Sequence, residues 1–179
     1  MDKSKLTVSD SVTFQDAIAF TESLLAQMEA EKLSEEESQT AIASLVKTSN
    51  GGRGFFVSYL TSDHTLADSP STGVISALQS SPEIVTELLV KNLAMSAGMA
   101  VTHRRNHNEE MAKSSDRVRQ RSANLIKQIQ LDSVSEELSK LRESTITGEG
   151  EYQDFLQRWG YDSEQLQVIQ QAVSEVISN

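Results

Sequence analysis

Two histidines and a glutamate in one short stretch have a spacing that could bind a metal ion. His103 and His107 are four residues apart, and Glu110 follows three residues later. On a helix, where successive residues turn by about 100°, these side chains fall within about 60° of one another. Imidazole and carboxylate groups on one face are ligands for zinc and other divalent cations. The spacing therefore predicts a divalent-metal site, and a metal-dependent enzyme is one hypothesis for the function.

The basic residues around these histidines indicate a different chemistry, the binding of an acidic partner. Residues 102–127, here called the basic segment, contain seven of the sixteen Lys and Arg residues and three of the 26 Asp and Glu residues. Their net charge is +4, whereas the rest of the chain has a net charge of −14. A positive surface attracts acidic protein surfaces and phosphate groups. The residues predicted to contact an acidic partner are Arg104, Arg105, Lys113, Arg117, Arg119 and Arg121.

Each of these hypotheses has an argument against it. Arg104 and Arg105 would repel a cation bound by the neighbouring histidines. No aromatic residue interrupts the basic segment to stack on bases, and the net charge of −10 repels phosphate, so a nucleic-acid-binding protein is the less favoured alternative. The basic segment can also be neutralised by the acidic helices of the chain itself.

The remainder of the sequence contains no recognisable catalytic motif. There is no cysteine, which excludes thiolate catalysis, disulfides and cysteine metal sites. The stretch from Gly51 to Gly54 lacks the spacing of a phosphate-binding or dinucleotide-binding loop, and no serine has a nucleophile-elbow motif. Asp63 and His64 are neighbours in a polar loop, which is more typical of a surface than of a catalytic dyad. We therefore predict no catalytic residues and a non-enzymatic interaction or regulatory protein.

The first part of the chain is predicted to form a helical hairpin over residues 13–50, after a flexible tail of residues 1–12. The sequence from Ser34 to Glu37 matches a capping box, in which a serine hydroxyl and a glutamate carboxylate satisfy the first backbone amides of a helix. Asn50 to Gly52 is predicted to end this second helix, because Asn and Gly tolerate the left-handed conformation found after helices.

Residues 55–60 have the aromatic and β-branched composition that is typical of a strand. No convincing partner strand lies nearby, and an isolated strand has little stability. The segment is therefore predicted to be a short buried helix.

A buried central helix is predicted over residues 82–101. Apolar residues lie on nearly every side of its helical wheel, which is typical of the centre of a fold or of a homo-oligomer interface. Glu87 and Lys91 would be costly in a bilayer, so the helix is not predicted to span a membrane. Good helix propensity continues after Thr102, which predicts one helix running on to about residue 130 unless residues 114–116 break it.

The fold is therefore predicted to be all-α, a multi-helix bundle around the central helix. The length suits a single domain over residues 13–179, with central helices over 54–131 and C-terminal helices over 133–179. Among the latter, Tyr152, Phe155 and Trp159 are predicted to pack in the core. The polar N-terminal residues lack the apolar core of a secretory signal, so the protein is predicted to be cytoplasmic.

Overall fold

The computed structural model describes residues 6–177, and within this range the chain is helical without strands. Helices make up 78% of the described residues, and the predicted all-α multi-helix fold is confirmed. The helices are α1 (Phe14–Glu29), α2 (Glu35–Val46), α3 (Ser49–Thr61), α4 (Thr72–Gln79), α5 (Pro82–Arg105), α6 (Glu109–Ile129), α7 (Asp132–Thr147), α8 (Gln153–Arg158) and α9 (Ser163–Ile177).

The helices form two compact units, divided between Leu88 and Leu89. The first unit contains α1 to α4 and the start of α5, and the second contains the rest of α5 and α6 to α9. In the first, α2 packs against α3 and α4; in the second, α9 packs against α6 and α7. The single domain over residues 13–179 stays a prediction.

In the first unit, α1 and α3 lie side by side and run in the same direction. The guanidinium of Arg53 lies 4.7 Å from the centre of the Phe14 ring near the start of both helices. Beyond their other ends, His64 Nδ1 lies 3.7 Å from Glu29 Oε2. Because the residue numbers rise together along both helices, the pairing is parallel.

Asn50 to Gly52 lie inside α3, and the prediction that they end α2 is wrong. α2 ends at Val46, and the Thr48 hydroxyl accepts a hydrogen bond from the Gly51 amide (3.1 Å) at the start of α3. A methyl group on Gly54 would lie 2.5 Å from the Ala17 side chain. The missing side chain thus allows close packing of α3 on α1. Residues 55–60 continue the same helix, which confirms the helical interpretation of that segment.

The segment before α1 lies partly within the described residues. Leu6 is buried, and the Val8 amide donates a hydrogen bond to the Ser44 hydroxyl of α2 (3.1 Å). Asp10 also forms an ion pair with Lys47 (3.3 Å). Residues 1–5 of the predicted flexible tail lie outside the described range, and the flexibility of the tail stays a prediction.

The central helix is present as α5, and it is apolar over most of its length. Within residues 6–177 it is the one helix whose length and composition would allow it to cross a membrane, with a mean hydropathy of 1.4 over an 18-residue window. In the structure, 56% of that window is buried. The core helix of a globular protein has the same composition.

α5 does not run on to residue 130. It ends at Arg105, because His107 adopts a left-handed conformation (φ 56°) that a helix cannot contain. The amides of His107 and Asn108 then donate hydrogen bonds back to the carbonyls of Arg104 (3.1 Å) and His103 (2.8 Å). This pair of bonds is the Schellman motif that ends many helices.

The same short turn starts the next helix. The side chain of Asn108 accepts a hydrogen bond from the Met111 amide (3.1 Å), which caps α6. Residues 114–116 lie inside α6, so the predicted alternative break there is also wrong. Asn108 thus hydrogen-bonds both helix ends: its amide donates to a carbonyl at the end of α5, and its side chain accepts from an amide at the start of α6. This explains why the break is at residues 106–108.

The aromatic cluster of the C-terminal helices is only partly buried. Tyr152 and Phe155 make an edge-to-face contact, with ring centres 6.2 Å apart, and Tyr152 is buried. Trp159 follows the last turn of α8 and is 46% exposed, because Gly160 turns the chain with a positive φ of 63°. The prediction that Trp159 packs in the core is therefore wrong.

The contact of Gly54 with Ala17 predicts that Gly54→Ala destabilises the protein. Alanine improves helix propensity by about 1 kcal/mol, but overpacking a tight contact costs about 1–3 kcal/mol. We expect a net loss of about 1 kcal/mol in the free energy of unfolding, measured by urea denaturation. Ala17→Gly should relieve the contact in the double variant. The double variant should therefore lose less free energy of unfolding than the two single variants lose in sum. A stabilised Gly54→Ala variant would contradict the packing described.

The left-handed conformation of His107 predicts that His107→Gly stabilises the protein. A side chain in this conformation is strained, and glycine should raise the free energy of unfolding by about 0.5–1 kcal/mol. His107→Ala is the matched control, since it removes the imidazole but keeps the Cβ that causes the strain. Equal stabilisation by alanine in thermal denaturation would show that the imidazole, and not the backbone, is responsible.

Candidate protein-binding surface

The structure divides the basic segment into residues that pair within the protein and residues that line a groove. Arg104, in the last turn of α5, pairs with two carboxylates of α6. Its guanidinium lies 2.7 Å from Asp116 and 3.3 Å from Glu109. Hydrogen bonds to Asp116 and then Glu109 raise the pKa of this arginine above its ordinary value. Arg104 therefore connects α5 to α6 across the turn at residues 106–108.

Arg105 makes a second double ion pair, with residues at the start of α9. Its guanidinium nitrogens lie 2.6 Å from Asp162 Oδ2 and 2.6 Å from Glu164 Oε2. The hydrogen bond from Arg105 lowers the pKa of the Asp162 carboxyl, and a hydrogen bond from the backbone amide of Gln165 lowers this pKa further. The positive end of the α9 dipole lies beside these carboxylates, and the negative end of the α5 dipole lies beside the arginine. Both dipoles therefore favour this pair.

Hydrogen bonds near these ion pairs also hold α9 to α5. The side-chain amide of Gln165 is buried and donates to the Gly98 carbonyl (3.1 Å) and the Thr102 hydroxyl (3.0 Å). The ring of Tyr161 lies against Gly98, where a Cβ would be 2.6 Å from a ring carbon. Burial raises the pKa of Tyr161 to about 12. The end of α5 is therefore a packed junction with α9.

Two other predicted partner-binding arginines are less accessible than the sequence suggested. Arg121 is only 3% exposed, on the flank of the buried side of α6, and Arg117 is partly buried. Arg121 is therefore unavailable to a partner. The six predicted residues do not form one surface, because α6 places four of them around its circumference and the other two, Arg104 and Arg105 of α5, are engaged in ion pairs.

An exposed groove runs beside α6 and contains the remaining basic side chains. Its volume is about 290 Å³, and α5 and α9 contribute Leu93 and Ala172 to its lining. The polar side chains that α6 contributes to the groove are Asp116, Arg119, Gln120, Asn124 and Lys127, and α9 adds Glu175.

The spacing of the two cations follows from the helix. Arg119 and Lys127 are eight residues apart, which corresponds to about 12 Å along a helix that rises 1.5 Å per residue. The opposite side of α6 is apolar and buried through Leu125 and Ile129, so the groove side faces outward. Lys113 is also exposed. Its position on the helical wheel places it on the groove side of α6.

The charge of Arg119 is only weakly compensated within the protein. Its guanidinium lies 3.9 Å from Asp116, whose carboxylate is already bound by Arg104 at 2.7 Å. Lys127 is exposed and forms no salt bridge with any residue in the described range. Lys127 was not among the predicted contact residues, although its position on the helical wheel beside Lys113, Gln120 and Asn124 would have identified it.

The residues of the predicted metal site do not share a helical face. His103 lies in the last turn of α5, His107 lies in the left-handed turn, and Glu110 lies in the first turn of α6. These ligands would converge only on one continuous helix, and α5 ends between His103 and His107. Within residues 6–177, no group of three or more histidine or carboxylate side chains is placed to hold a metal ion.

The double ion pair of Arg105 predicts a pH-dependent loss of stability in Arg105→Met. A carboxyl whose pKa is lowered by folding stabilises the protein above its ordinary pKa of about 4 and stops doing so as the pH falls through the lowered value. The variant should therefore melt below the wild type at pH 7, and the difference should shrink in strong acid.

Arg142→Met, which removes an exposed arginine of α7, is the matched control and should change little at either pH. A melting difference for Arg105→Met that stays the same between neutral and acidic pH would contradict the role of Asp162. High salt should reduce the difference at pH 7, because all three side chains are exposed.

Comparison with known proteins identifies the family but adds no activity. No curated protein and no solved structure matches the chain. Residues 13–176, which include every helix from α1 to α8 and nearly all of α9, match a single family along their whole length. The chain therefore belongs to the family described as uncharacterised conserved protein UCP020893.

Proposed function

We propose that this protein is a non-enzymatic interaction protein whose α6 groove binds an acidic segment of a partner protein. The observation that supports this most directly is the division of the basic segment. Arg104 and Arg105 each pair with two carboxylates of the same chain, whereas Arg119 and Lys127 lie along an exposed groove. Arg119 and Lys127 thus present positive charge in the groove of a chain whose net charge is −10.

The local charge of α6 favours an anionic partner. Between Lys113 and Lys127 this helix has five basic residues and one acidic residue, Asp116. Because Arg104 holds Asp116 by a short ion pair, that carboxylate compensates little of the remaining positive charge. Neighbouring charges of one sign raise the local concentration of oppositely charged partners and speed their association.

The arrangement of polar groups favours an extended peptide with separated carboxylates. Arg119 and Lys127 can each pair with a carboxylate, and Gln120 and Asn124 between them can hydrogen-bond a peptide backbone. An extended chain rises about 3.3 Å per residue, so carboxylates about four residues apart match the spacing of the two cations. Glu175 lines the groove from α9 and disfavours a segment that is acidic at every position.

Binding at such a surface should be weak and sensitive to salt. Exposed ion pairs each contribute about 0–1 kcal/mol, and salt screens them. The apolar lining of the groove, which includes Leu93 and Ala172, adds a smaller contact surface. The expected partner therefore associates transiently, which is typical of a regulatory interaction.

The test is affinity purification from the native cell with the wild-type protein and two charge-reversal variants. The groove variant is Arg119→Glu with Lys127→Glu, and the matched control is Arg142→Glu with Arg158→Glu, which makes the same change in net charge at exposed positions. A partner that uses the groove should be recovered about tenfold less with the groove variant, since two ion pairs become repulsions worth about 1 kcal/mol or more.

Equal recovery of the partner with both variants would contradict the proposal. A gel-shift series with duplex DNA at increasing salt separates the nucleic-acid alternative, because phosphate contacts weaken steeply with ionic strength. A specific DNA shift that the groove variant abolishes would replace the acidic protein with nucleic acid as the partner.

A further inference from the structure

A reactive pair of residues, an asparagine followed directly by a glycine, lies at the start of α3. Asn50 and Gly51 are the only residues of the sequence in this order. Asparagine deamidates fastest when glycine follows it, because glycine has no Cβ to hinder attack by its own amide nitrogen. Asn50 is exposed, so water reaches it. The pair lies in the first unit and the α6 groove in the second, so its chemistry does not depend on the proposed partner binding.

The packing of α3 explains why the second residue of this pair is glycine. Gly51 is buried, and a Cβ at this position would overlap the carbonyl oxygen of Leu45 in α2. Any other residue there would force the start of α3 away from the end of α2, at the cost of an overpacked contact. The fold therefore requires the glycine that makes Asn50 reactive.

Deamidation of Asn50 uses the amide nitrogen of Gly51 as its nucleophile. A base removes the amide proton, and the nitrogen attacks Cγ of Asn50 to close a cyclic succinimide. The side-chain nitrogen leaves as ammonia, with a proton from water. A water molecule then opens the ring at either carbonyl and leaves aspartate or isoaspartate, in which the main chain passes through the former side chain.

The native structure holds this nucleophile in a form that does not react. The Gly51 amide donates its hydrogen to the hydroxyl of Thr48 (3.1 Å), which is the N-cap of α3. Because the proton must leave before the nitrogen attacks, this hydrogen bond has to break first. The Gly52 amide donates to the Thr48 carbonyl (2.9 Å), so Thr48 holds two amides of the first turn. Ring closure also requires a ψ angle outside the helical region, whereas Asn50 is helical.

We propose that Asn50 is a site of spontaneous deamidation that the N-cap of α3 keeps closed, so that the protein is modified when the first turn of α3 opens. The end of a helix opens at a lower free energy than the whole protein unfolds. When opening and closing are fast, the rate of modification follows the population of the open form. The Thr48 hydroxyl therefore sets the rate at which Asn50 is modified.

The two products affect α3 in opposite ways. Aspartate at position 50 adds a negative charge at the positive end of the α3 dipole, which is favourable. Isoaspartate lengthens the main chain next to Gly51, where the Leu45 carbonyl leaves no space for additional atoms. The isoaspartate form should therefore melt at a lower temperature than the unmodified protein, and Asn50→Asp should not.

The test is incubation of the full-length protein at mildly alkaline pH, followed by mass spectrometry of the peptide that contains Asn50. Replacement of the amide nitrogen by oxygen raises the mass of this peptide. We expect slow deamidation in the native protein and much faster deamidation in urea. Thr48→Ala should speed the native reaction about fivefold, the factor that corresponds to about 1 kcal/mol for a lost N-cap. Thr48→Ser keeps the capping hydroxyl and should react at the wild-type rate.

Two further variants separate local opening of α3 from general destabilisation. Ser71→Ala removes the hydroxyl that caps α4 in the same unit, where it accepts from the Val74 amide (3.3 Å), and should leave the rate at Asn50 unchanged. Asn50→Gln should abolish the mass increase, because glutamine closes its larger ring far more slowly. The proposal is overturned by any of four results: no deamidation of Asn50 in urea, equal rates in the native protein and in urea, no acceleration by Thr48→Ala, or equal acceleration by Ser71→Ala.

Discussion

The end of α5 at Arg105 is the constraint on which the charged half of the molecule depends. A helix that continued would carry His103, His107 and the following arginines outward as one projecting rod. Instead, the left-handed His107 ends α5 and Asn108 starts α6 within three residues. Arg104 and Arg105 are then at a helix C-terminus, where Arg104 pairs with Asp116 and Glu109 of α6 and Arg105 pairs with Asp162 and Glu164 at the start of α9. Helix dipoles and ion pairs act in the same direction there.

This junction gives the basic residues two different roles. Those in the last turn of α5 hold helices together, since Arg104 reaches α6 and Arg105 reaches α9. Arg119 and Lys127, on the outward side of α6, line a groove and have weaker ion pairs, or none, with the described residues. An acidic protein with a single basic segment can thus use part of that segment for its own stability and still present positive charge to a partner.

The sequence was sufficient to predict the features that depend on local signals. Ser34 with Glu37 forms the predicted capping box, and Pro82 begins the buried central helix as expected. The signals that failed were those whose meaning depends on distant residues. Asn50 to Gly52 are typical of a helix end, yet they lie inside α3, which packs closely on Ala17 through Gly54. His107 is neither the glycine nor the asparagine that usually adopts the left-handed conformation after a helix.

The candidate site shows the same distinction between local and distant information. The positive charge of residues 102–127 was apparent from composition alone. The pairing of Arg105 with Asp162 and Glu164 could not be predicted, because the partners are 57 and 59 residues away in the chain. The burial of Arg121 likewise depends on how α6 packs, which the helical wheel of one segment does not reveal.

The most direct test of this account is the rate at which an arginine-specific reagent such as phenylglyoxal modifies each arginine in the native protein, measured by mass spectrometry. Side chains held in double ion pairs with raised pKa values should react slowly, so Arg104 and Arg105 should be protected relative to Arg142. Arg119 should react at nearly the rate of Arg142. Equal reaction of Arg104, Arg105 and Arg119 would show that the basic segment is not divided in the way the structure indicates.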